Sequence, residues 1–175
     1  MVVWLTGLSG AGKSTIGKEL YLQLKEKNPA TVFVDGDEIR KVFKHELMPV
    51  DYTIKGRKKN AERICEICAW LDRQQIDVVC CMLSIFSESH EWNRMTYSKY
   101  FEVYIDAPFE ELVKRNPKNL YRLAMNGKVN NVVGIDIKYE APESPDMIVY
   151  NDRPFRKPED IAQEIISQIK IKKYI

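Results

Sequence analysis

The feature that most constrains this chain lies near its N-terminus, where an apolar run is followed by a glycine-rich stretch and then a helical pattern. The run Val2–Leu5 has the composition of a buried strand, and Ile16, Leu20 and Leu24 recur at the spacing of one helical face. Between them, Gly7–Thr15 reads GLSGAGKST and matches G-x-x-x-x-G-K-[ST], the Walker A motif. A strand, a glycine-rich loop and a helix in this order predict a phosphate site, because the loop and the helix start present backbone N–H groups to an anion.

The residues of this motif are predicted to have distinct roles. Lys13 is expected to reach the β- and γ-phosphates of ATP, and the Ser14 hydroxyl is expected to ligate Mg²⁺. The alternative is a glycine-rich turn that binds nothing, which the flanking strand and helix patterns disfavour. The residues predicted to bind the ATP phosphates are Gly7, Leu8, Ser9, Gly10, Ala11, Gly12, Lys13, Ser14 and Thr15.

Length and charge limit the class of protein. The 175 residues predict a single domain, residues 1–175, with a substantial core. A formal net charge of +2 gives no general attraction to polyanions, so no nucleic-acid partner is expected. No apolar run of the sequence approaches the roughly 18 residues of a membrane span, and the N-terminus lacks the layout of a signal peptide. A cytoplasmic protein without a membrane partner is therefore expected.

The four cysteines raise two alternatives, a zinc or redox site and a set of buried thiols. Cys65 and Cys68 fall on an apolar helical stripe. Cys80 and Cys81 lie inside an apolar run, where neighbouring residues point to opposite faces of a strand. Buried free thiols in a reducing compartment are the favoured interpretation.

Strand-like and helical patterns alternate along the chain, which predicts an α/β fold with a parallel sheet of about five strands and helices on both faces. The predicted strands are Val2–Thr6, Thr31–Val34, Val78–Leu83, Phe101–Ile105 and Met147–Tyr150, and the predicted helices are Ser14–Lys27, about Lys58–Arg73, Phe109–Arg115 and Pro158–Lys170. Two irregular segments fit this alternation poorly. His45–Gly56 and Asn116–Pro145 are expected to be substrate loops or a lid, and the second offers little apolar surface to bury.

Two carboxylates follow the second predicted strand, at the edge where ligands of open α/β sheets bind. Asp35 or Asp37 could accept a proton from an attacking hydroxyl or hold a Mg²⁺-bound water. The third strand ends without the Asp that many P-loop proteins use for Mg²⁺, which leaves more of that role to this pair. The alternative is an Asp-Gly turn with solvated acids.

Basic and amide side chains recur just beyond this pair. Arg40 lies close to it in sequence, and Arg57, Asn60 and Arg63 follow at three-residue intervals on one helical face. Guanidinium groups suit phosphate or sulfate oxyanions, whereas a solvated helix face is the open alternative.

Taken together, these runs resemble the adenylylsulfate (APS) kinase family. The resemblance extends from about Trp4 to Asn151 and rests on GLSGAGKST, Asp35-Gly36-Asp37-x-x-Arg40, Arg57-x-x-Asn60-x-x-Arg63, Glu102–Pro108, Asn116–Tyr121 and Gly134–Pro142. It implies a P-loop kinase fold and a Mg²⁺-dependent reaction. In that reaction ATP would phosphorylate the ribose 3′-hydroxyl of a nucleotide whose 5′ end carries a mixed anhydride.

The resemblance also implies roles for single residues. Asp37 would be the catalytic carboxylate near the attacking hydroxyl, acting with Lys13 on the ATP side, and Lys118 would belong to the closing lid. With Asp35 added from its place after the strand, the predicted acceptor-binding residues are Asp35, Asp37, Arg40, Arg57, Asn60, Leu83, Ser84, Lys118 and Val132. The family is often dimeric, so a homodimer is a further expectation.

Three departures from the family pattern all fall on the acceptor side. Gly56 stands where the family usually has Asp, Ser87 where it has Arg, and Val132 where a Phe stacks on the adenine of the acceptor. Such stacking contributes about 1–3 kcal/mol, and Val cannot supply it. A branch of the family that phosphorylates cytidine diphosphoramidate, for the phosphoramidate of bacterial capsules, resembles this pattern and has a smaller base.

Cytidine diphosphoramidate is therefore favoured as the acceptor over APS, and drift within an APS kinase is the alternative. Two further classes remain open. A sugar or shikimate kinase would share Walker A but not Gly134–Pro142, and a regulatory nucleotide-binding module would lack turnover.

Overall fold

Within the residues that the structure describes, 1–44, 48–115, 119–152, 154 and 156–174 of a computed structural model, a five-stranded parallel sheet organises the chain in the order β2-β3-β1-β4-β5. The strands are β1 (Val2–Thr6), β2 (Thr31–Asp35), β3 (Asp77–Cys81), β4 (Tyr100–Asp106) and β5 (Met147–Tyr150). The predicted α/β class is confirmed. β3 ends two residues earlier than predicted, so Leu83 and Ser84 lie beyond the carboxyl end of the strand.

Helices connect these strands. They are α1 (Lys13–Lys27), α2 (Gly36–Val42), α3 (Ile54–Arg73), α4 (Ser87–Thr96), α5 (Phe109–Arg115), α6 (Leu120–Met125) and α7 (Pro158–Ile171), with a 3-10 helix at Pro49–Tyr52. α3 begins four residues before its predicted start, because Thr53 Oγ1 accepts a hydrogen bond from the Gly56 N–H at 3.3 Å and caps the helix. The sequence prediction missed α2, α4, α6 and the 3-10 helix.

The core forms two layers, one on each face of the sheet. Along the central strand β1 the side chains alternate: Val3 and Leu5 pack with α1 and α7, whereas Val2 and Trp4 pack with α3. All four side chains are fully buried, as expected for the middle strand of a parallel sheet. The two layers fix the strand ends, and the loops that follow those ends form one edge of the molecule.

The second irregular segment is more firmly packed than its composition indicates. In its described part the side chains of Tyr121, Val132, Val133 and Ile137 are buried. The expectation that this segment offers little apolar surface was therefore wrong, because a few well-placed residues anchor an otherwise polar stretch. Lys118, predicted to belong to a lid, lies outside the described residues.

Candidate functional site

The loop between β1 and α1 has a backbone that only glycine tolerates at two of its positions. Gly7 has φ +146°, and a Cβ there would lie 2.4 Å from the Ile105 carbonyl oxygen. Gly12, which precedes α1, has φ +105°. The glycines of the motif are thus explained by positive φ and by close backbone approach, and they wrap the chain around the first turn of α1.

The carbonyl groups of this loop are held from its outer side. Three side chains from later in the sequence donate to them: Tyr121 Oη to Ser9 O at 2.8 Å, Arg115 Nη1 to Gly10 O at 3.2 Å, and Asn151 Nδ2 to Ala11 O at 2.7 Å. In a planar trans peptide the N–H of the next residue points the opposite way. The N–H groups of Gly10 and Gly12 therefore point away from the Tyr121 and Asn151 side chains that hold the preceding carbonyls, an orientation in which they could bind an anion.

Lys13 lies at the start of α1 with its Nζ donating to the Leu8 carbonyl at 2.8 Å. Burial lowers the pKa of Lys13 to about 8, and the nearby carboxylates of Asp37 and Asp35 only partly oppose that shift. A phosphate would restore the stability of the charged form, because it brings negative charge to a poorly hydrated ammonium group.

Ser14 and Asp35 bring two oxygen ligands together beside this loop. The Ser14 hydroxyl donates to Asp35 Oδ2 at 2.5 Å. The other oxygen of Asp35 accepts from the backbone N–H of Asp37 at 2.9 Å and of Glu38 at 3.4 Å, so Asp35 is also the N-cap of α2. This donor set suits Mg²⁺, which is usually held by one or two protein oxygens, substrate phosphates and water.

Asp37 lies in the first turn of α2 with an exposed side chain. Its negative charge acts on the pKa of Lys13 on the phosphate-loop side and on the pKa of Arg57 on the other side. Asp37 follows Asp35, which contacts Ser14, and precedes Arg40 by one turn of α2, so along this helix it lies between the phosphate loop and the arginine pair.

Two arginines converge on the 3-10 helix. Arg40 is buried and its Nη1 donates to the Asp51 carbonyl at 3.0 Å. Arg57 donates through Nε to the Tyr52 carbonyl at 2.9 Å and through Nη2 to the Asn131 carbonyl at 2.8 Å. Burial, followed by the positive charge of Arg40, lowers the pKa of Arg57 below its ordinary value. Two like charges in a partly buried place favour an anion between them.

Three of the predicted acceptor-binding residues carry a buried polar atom that has no partner among the described residues. These atoms are Arg40 Nε, Asn60 Oδ1 and Ser84 Oγ. Buried polar atoms are rarely left without a hydrogen bond in folded proteins. A polar ligand that supplies the missing partners would explain all three.

Two other predicted residues are arranged differently from expectation. The side chain of Val132 is 2% exposed and belongs to the core layer on the same face of the sheet as α1 and α7, so it presents almost no surface to a base. Arg63 shares a helix with Arg57, but its guanidinium lies 4.8 Å from the Phe43 ring centroid.

The sequence prediction missed three contributors to the site. The Tyr52 ring is 37% exposed, and the Arg40 and Arg57 guanidinium carbons lie 4.9 and 5.9 Å from its centroid. Arg115 and Asn151 brace the phosphate loop and line a cavity of about 270 Å³ beside it, together with Gly10, Gly12, Thr15, Ile16, Arg156, Pro158 and Ile161. Asn151 follows β5 directly, so the strand-end rule that found Asp35 could also have found it.

The cysteines are buried and free, as predicted. Cys81 ends β3, and its Sγ donates to the Lys13 carbonyl at 3.3 Å. Among the described residues, no three His, Cys, Asp or Glu side chains are grouped so as to hold a metal ion. In that same part of the chain, no helix is both long and apolar enough to cross a bilayer.

Comparison with known proteins places this arrangement in a family. The chain is 37% identical to the cytidine diphosphoramidate kinase of Campylobacter jejuni over 150 residues, covering 86% of this chain and 85% of that protein. It is also 37% identical to the adenylyl-sulfate kinase of Pseudomonas aeruginosa over 170 residues, covering 96% and 84%. The Mycobacterium tuberculosis APS kinase CysC, solved in complex with AMPPNP and APS, superposes with a TM-score of 0.83 at 30% identity, covering 97% and 96% of the two chains. The adenylylsulphate kinase family matches residues 1–150, and the chain therefore belongs to this family of P-loop phosphotransferases.

Proposed function

We propose that this chain is an ATP-dependent kinase that phosphorylates the ribose 3′-hydroxyl of cytidine diphosphoramidate. The observation that carries the proposal is the position of Asp37 on α2: it follows Asp35, which contacts Ser14 at the end of the phosphate loop, and it lies one turn before Arg40 of the arginine pair. A carboxylate between an ATP site and an anion site is what transfer between two nucleotides requires.

In the proposed reaction, the 3′-oxygen of the acceptor attacks the γ-phosphorus of ATP. A bond forms between that oxygen and the phosphorus, and the bond from the γ-phosphorus to the oxygen bridging to the β-phosphate breaks. The hydroxyl proton passes to the Asp37 carboxylate and then to water, leaving ADP and a 3′-phosphorylated nucleotide. The N–H groups of the loop and the Lys13 ammonium hold the transferring phosphoryl group.

Ser14 and Asp35 would hold Mg²⁺, Ser14 through its hydroxyl and Asp35 directly or through water. When bound, Mg²⁺ neutralises charge on the β- and γ-phosphates. The hydrogen bond between the two side chains already holds the Ser14 and Asp35 oxygens next to each other, so both ligands are in position before Mg²⁺ binds.

The acceptor end of the site is served by Arg40 and Arg57. Their guanidinium groups suit the anionic oxygens of a diphosphoramidate, and the partnerless atoms of Asn60 and Ser84 suit its ribose or base. A cytidine base is supported by the name of the Campylobacter jejuni relative and by the burial of Val132, which offers no platform to an adenine.

APS is the second candidate acceptor. It is supported by the equal identity to the Pseudomonas aeruginosa adenylyl-sulfate kinase, and a pair of arginines suits sulfate as well as phosphoramidate. Both molecules present a ribose 3′-hydroxyl and a 5′ anhydride, so the base carries most of the discrimination.

The test is ADP release with ATP and Mg²⁺ and either cytidine diphosphoramidate or APS as acceptor. We expect kcat/KM for cytidine diphosphoramidate to exceed that for APS by about tenfold or more, which corresponds to one lost stacking contact. Product analysis by ³¹P NMR should place the new phosphate on the 3′-oxygen, and Lys13→Ala and a reaction without acceptor are the controls. A wide preference for APS would make the chain an APS kinase, and turnover of neither acceptor would refute the proposal.

A further inference from the structure

The end of β5 is tied to the phosphate loop by a connected set of hydrogen bonds. Asn151, the first residue after β5, donates through its backbone N–H to the Asp106 carbonyl at 2.7 Å, which continues the pairing of β5 with β4. Its side-chain Nδ2 donates to the Ala11 carbonyl at 2.7 Å, and its own carbonyl accepts from Arg115 Nη2 at 2.5 Å. The backbone of Asn151 is therefore fixed by the sheet, and its side chain fixes the loop to that sheet.

Arg115 holds the neighbouring part of the same loop. It is the last residue of α5, and its Nη1 donates to the Gly10 carbonyl at 3.2 Å. Because its Nη2 is bound to the Asn151 carbonyl, the guanidinium is oriented by Asn151. Two consecutive loop carbonyls, those of Gly10 and Ala11, thus depend on Asn151, the second directly and the first through Arg115.

The amide of Asn151 faces the loop in a defined orientation. A carbonyl oxygen can only accept a hydrogen bond, so the amide nitrogen must face Ala11, and a carboxylate at this position would set two acceptors against each other. A Cβ at Gly12 would lie 2.6 Å from Asn151 Nδ2, so the amide lies directly against the backbone where it enters α1. Because the peptide between Ala11 and Gly12 is planar, a fixed Ala11 carbonyl also fixes the direction of the Gly12 N–H.

We propose that Asn151 is a positioning residue for the phosphates of ATP. Its amide sets the orientation of the peptide between Ala11 and Gly12, and its carbonyl keeps Arg115 on the Gly10 carbonyl. The loop N–H groups are thereby oriented before the nucleotide binds, which lowers the cost of ordering them. Asn151 touches no phosphate in this role. The inference rests on the proposed function for ATP as the donor, and it is independent of which acceptor is used.

The test is Asn151→Ala. Asn151 is half-buried, so water can replace its amide and the fold should survive, whereas an exchanging water does not fix the peptide. We expect KM for ATP to rise about threefold to tenfold, as for one lost hydrogen bond, while KM for the acceptor stays within about twofold. An inactive fraction of the preparation lowers kcat and leaves both KM values unchanged, so a rise in the ATP KM alone separates positioning from structural damage.

A second measurement distinguishes an effect on the loop from a contact with the nucleoside, because Asn151 also lines the cavity of about 270 Å³ beside the loop. Inorganic tripolyphosphate with Mg²⁺ has the phosphates of ATP but neither base nor ribose. Its inhibition constant against ATP should rise in Asn151→Ala by about the same factor as the KM for ATP. An unchanged inhibition constant together with a raised KM would assign Asn151 to the nucleoside and overturn the inference.

Two further variants complete the test. Asn151→Ser keeps a shorter donor, so its KM for ATP should lie between those of Asn151→Ala and the unsubstituted protein. Asp152→Asn exchanges a carboxylate for an amide at the neighbouring exposed residue, and it should leave the KM for ATP and the inhibition constant unchanged. If Asn151→Ala does not fold, Asn151→Ser decides the matter.

An unchanged KM for ATP in folded Asn151→Ala would overturn the inference, and so would an unchanged KM in Asn151→Ser if the alanine variant cannot be obtained. Failure of the proposed function is a separate outcome. If neither acceptor is turned over, calorimetry still measures the affinity of each variant for ATP and Mg²⁺. A threefold to tenfold loss in Asn151→Ala then supports the role of Asn151, and an equal affinity contradicts it.

Discussion

Asp35 and Asp37 are two residues apart but make different contacts. Asp35 accepts from the Ser14 hydroxyl and caps α2, so both of its oxygens serve the local structure. Asp37 projects from the first turn of α2 as an exposed carboxylate within electrostatic range of Lys13 and Arg57. Under the proposed function, Asp35 would position Ser14, α2 and Mg²⁺, and Asp37 would act on the attacking hydroxyl.

Asp37→Asn should lower kcat by about 10²-fold or more, because the amide keeps the size of the side chain but cannot take the proton of the attacking hydroxyl. KM for ATP should change little. Steady-state kinetics with both substrates varied would check this, and Asp35→Asn is the matched comparison, expected to raise the ATP KM through Ser14. A rise in the ATP KM alone for Asp37→Asn would make Asp37 a binding residue.

The lowered pKa of Lys13 predicts that ATP binding depends on pH. The group is charged below its pKa of about 8 and loses its proton above it. ATP prefers the charged form, so affinity should be full below about pH 8 and fall by up to tenfold per pH unit above it, with uptake of a proton on binding. Calorimetry between about pH 7.5 and 9.5 measures this, and Lys13→Arg, which keeps its charge, should show a flat profile. A pH-independent affinity in the unsubstituted protein would contradict it.

At the scale of elements, a helix or strand could be predicted where its hydrophobic pattern was clear in the sequence. The five strands and the longer helices were predicted because buried runs and apolar stripes extend over several turns. Short length alone does not explain why α2 and α6, of seven and six residues, were missed, because α5 also has seven residues and was predicted. α4 has one buried residue, Asn93, so it has no apolar stripe to find.

The site was predictable in the same uneven way. The phosphate loop and Asp35 carry local signals, a motif and a position after a strand. Tyr52 reaches the site through tertiary packing of the 3-10 helix, which no short pattern encodes, whereas Asn151 follows β5 directly and was within reach of the strand-end rule. The burial of Val132 was missed because the resemblance assigned this position to the acceptor base, although the adjacent Val133 is buried as well.

The turn at 131–137 depends on one carboxylate. Asp136 accepts from the N–H groups of Asn131 at 2.5 Å and Val132 at 2.6 Å, and these bonds outweigh the effect of burial and keep its pKa below the ordinary value. Asp136→Ala should therefore increase hydrogen exchange of the amides of this turn by about tenfold or more, since two bonds are lost together. Asp136→Asn, which can still accept one of them, should show a smaller increase. Unchanged exchange in the alanine variant would mean that the Arg57–Asn131 contact suffices.

At the scale of the whole molecule, the four cysteines are distributed over both core layers, so their reactivity can be used to test whether each layer is closed. Cys80 belongs to the layer packed on α3, and Cys81 belongs to the layer packed on α1, on opposite faces of the same strand. Burial raises the pKa of Cys65 to about 12 and places those of Cys80 and Cys81 well above the ordinary value. Neutral, enclosed thiols react slowly.

The folded protein should accordingly react with a thiol reagent at a small fraction of the rate of the unfolded chain, which should release all four thiols. Because Cys81 bonds to the Lys13 carbonyl beneath the phosphate loop, bound ATP should protect it further, while leaving Cys65 and Cys68 unaffected. Mass spectrometry after timed alkylation distinguishes the four sites. Rapid labelling of Cys80 in the native protein would contradict the prediction, because it would mean that the core layer between the sheet and α3 becomes exposed to solvent.

Val132 joins the 131–137 turn to the core that also supports the phosphate loop, so its substitution tests how the whole molecule is coupled. At 2% exposure the site has no room for a ring, and Val132→Phe should either overpack the core, at a cost of about 1–3 kcal/mol, or turn the ring outward toward the acceptor. We expect the ligand-free melting temperature to fall by about 2–4 °C per kcal/mol of lost stability.

An outward ring could stack on adenine, so APS should raise the melting temperature of the Val132→Phe variant more than that of the unsubstituted protein. Val132→Ala, which empties the same site without a ring, is the control: it should lose stability but gain nothing from APS. A Val132→Phe protein that is as stable as the unsubstituted one and gains nothing from APS would contradict both expected results, the overpacked core and the outward ring.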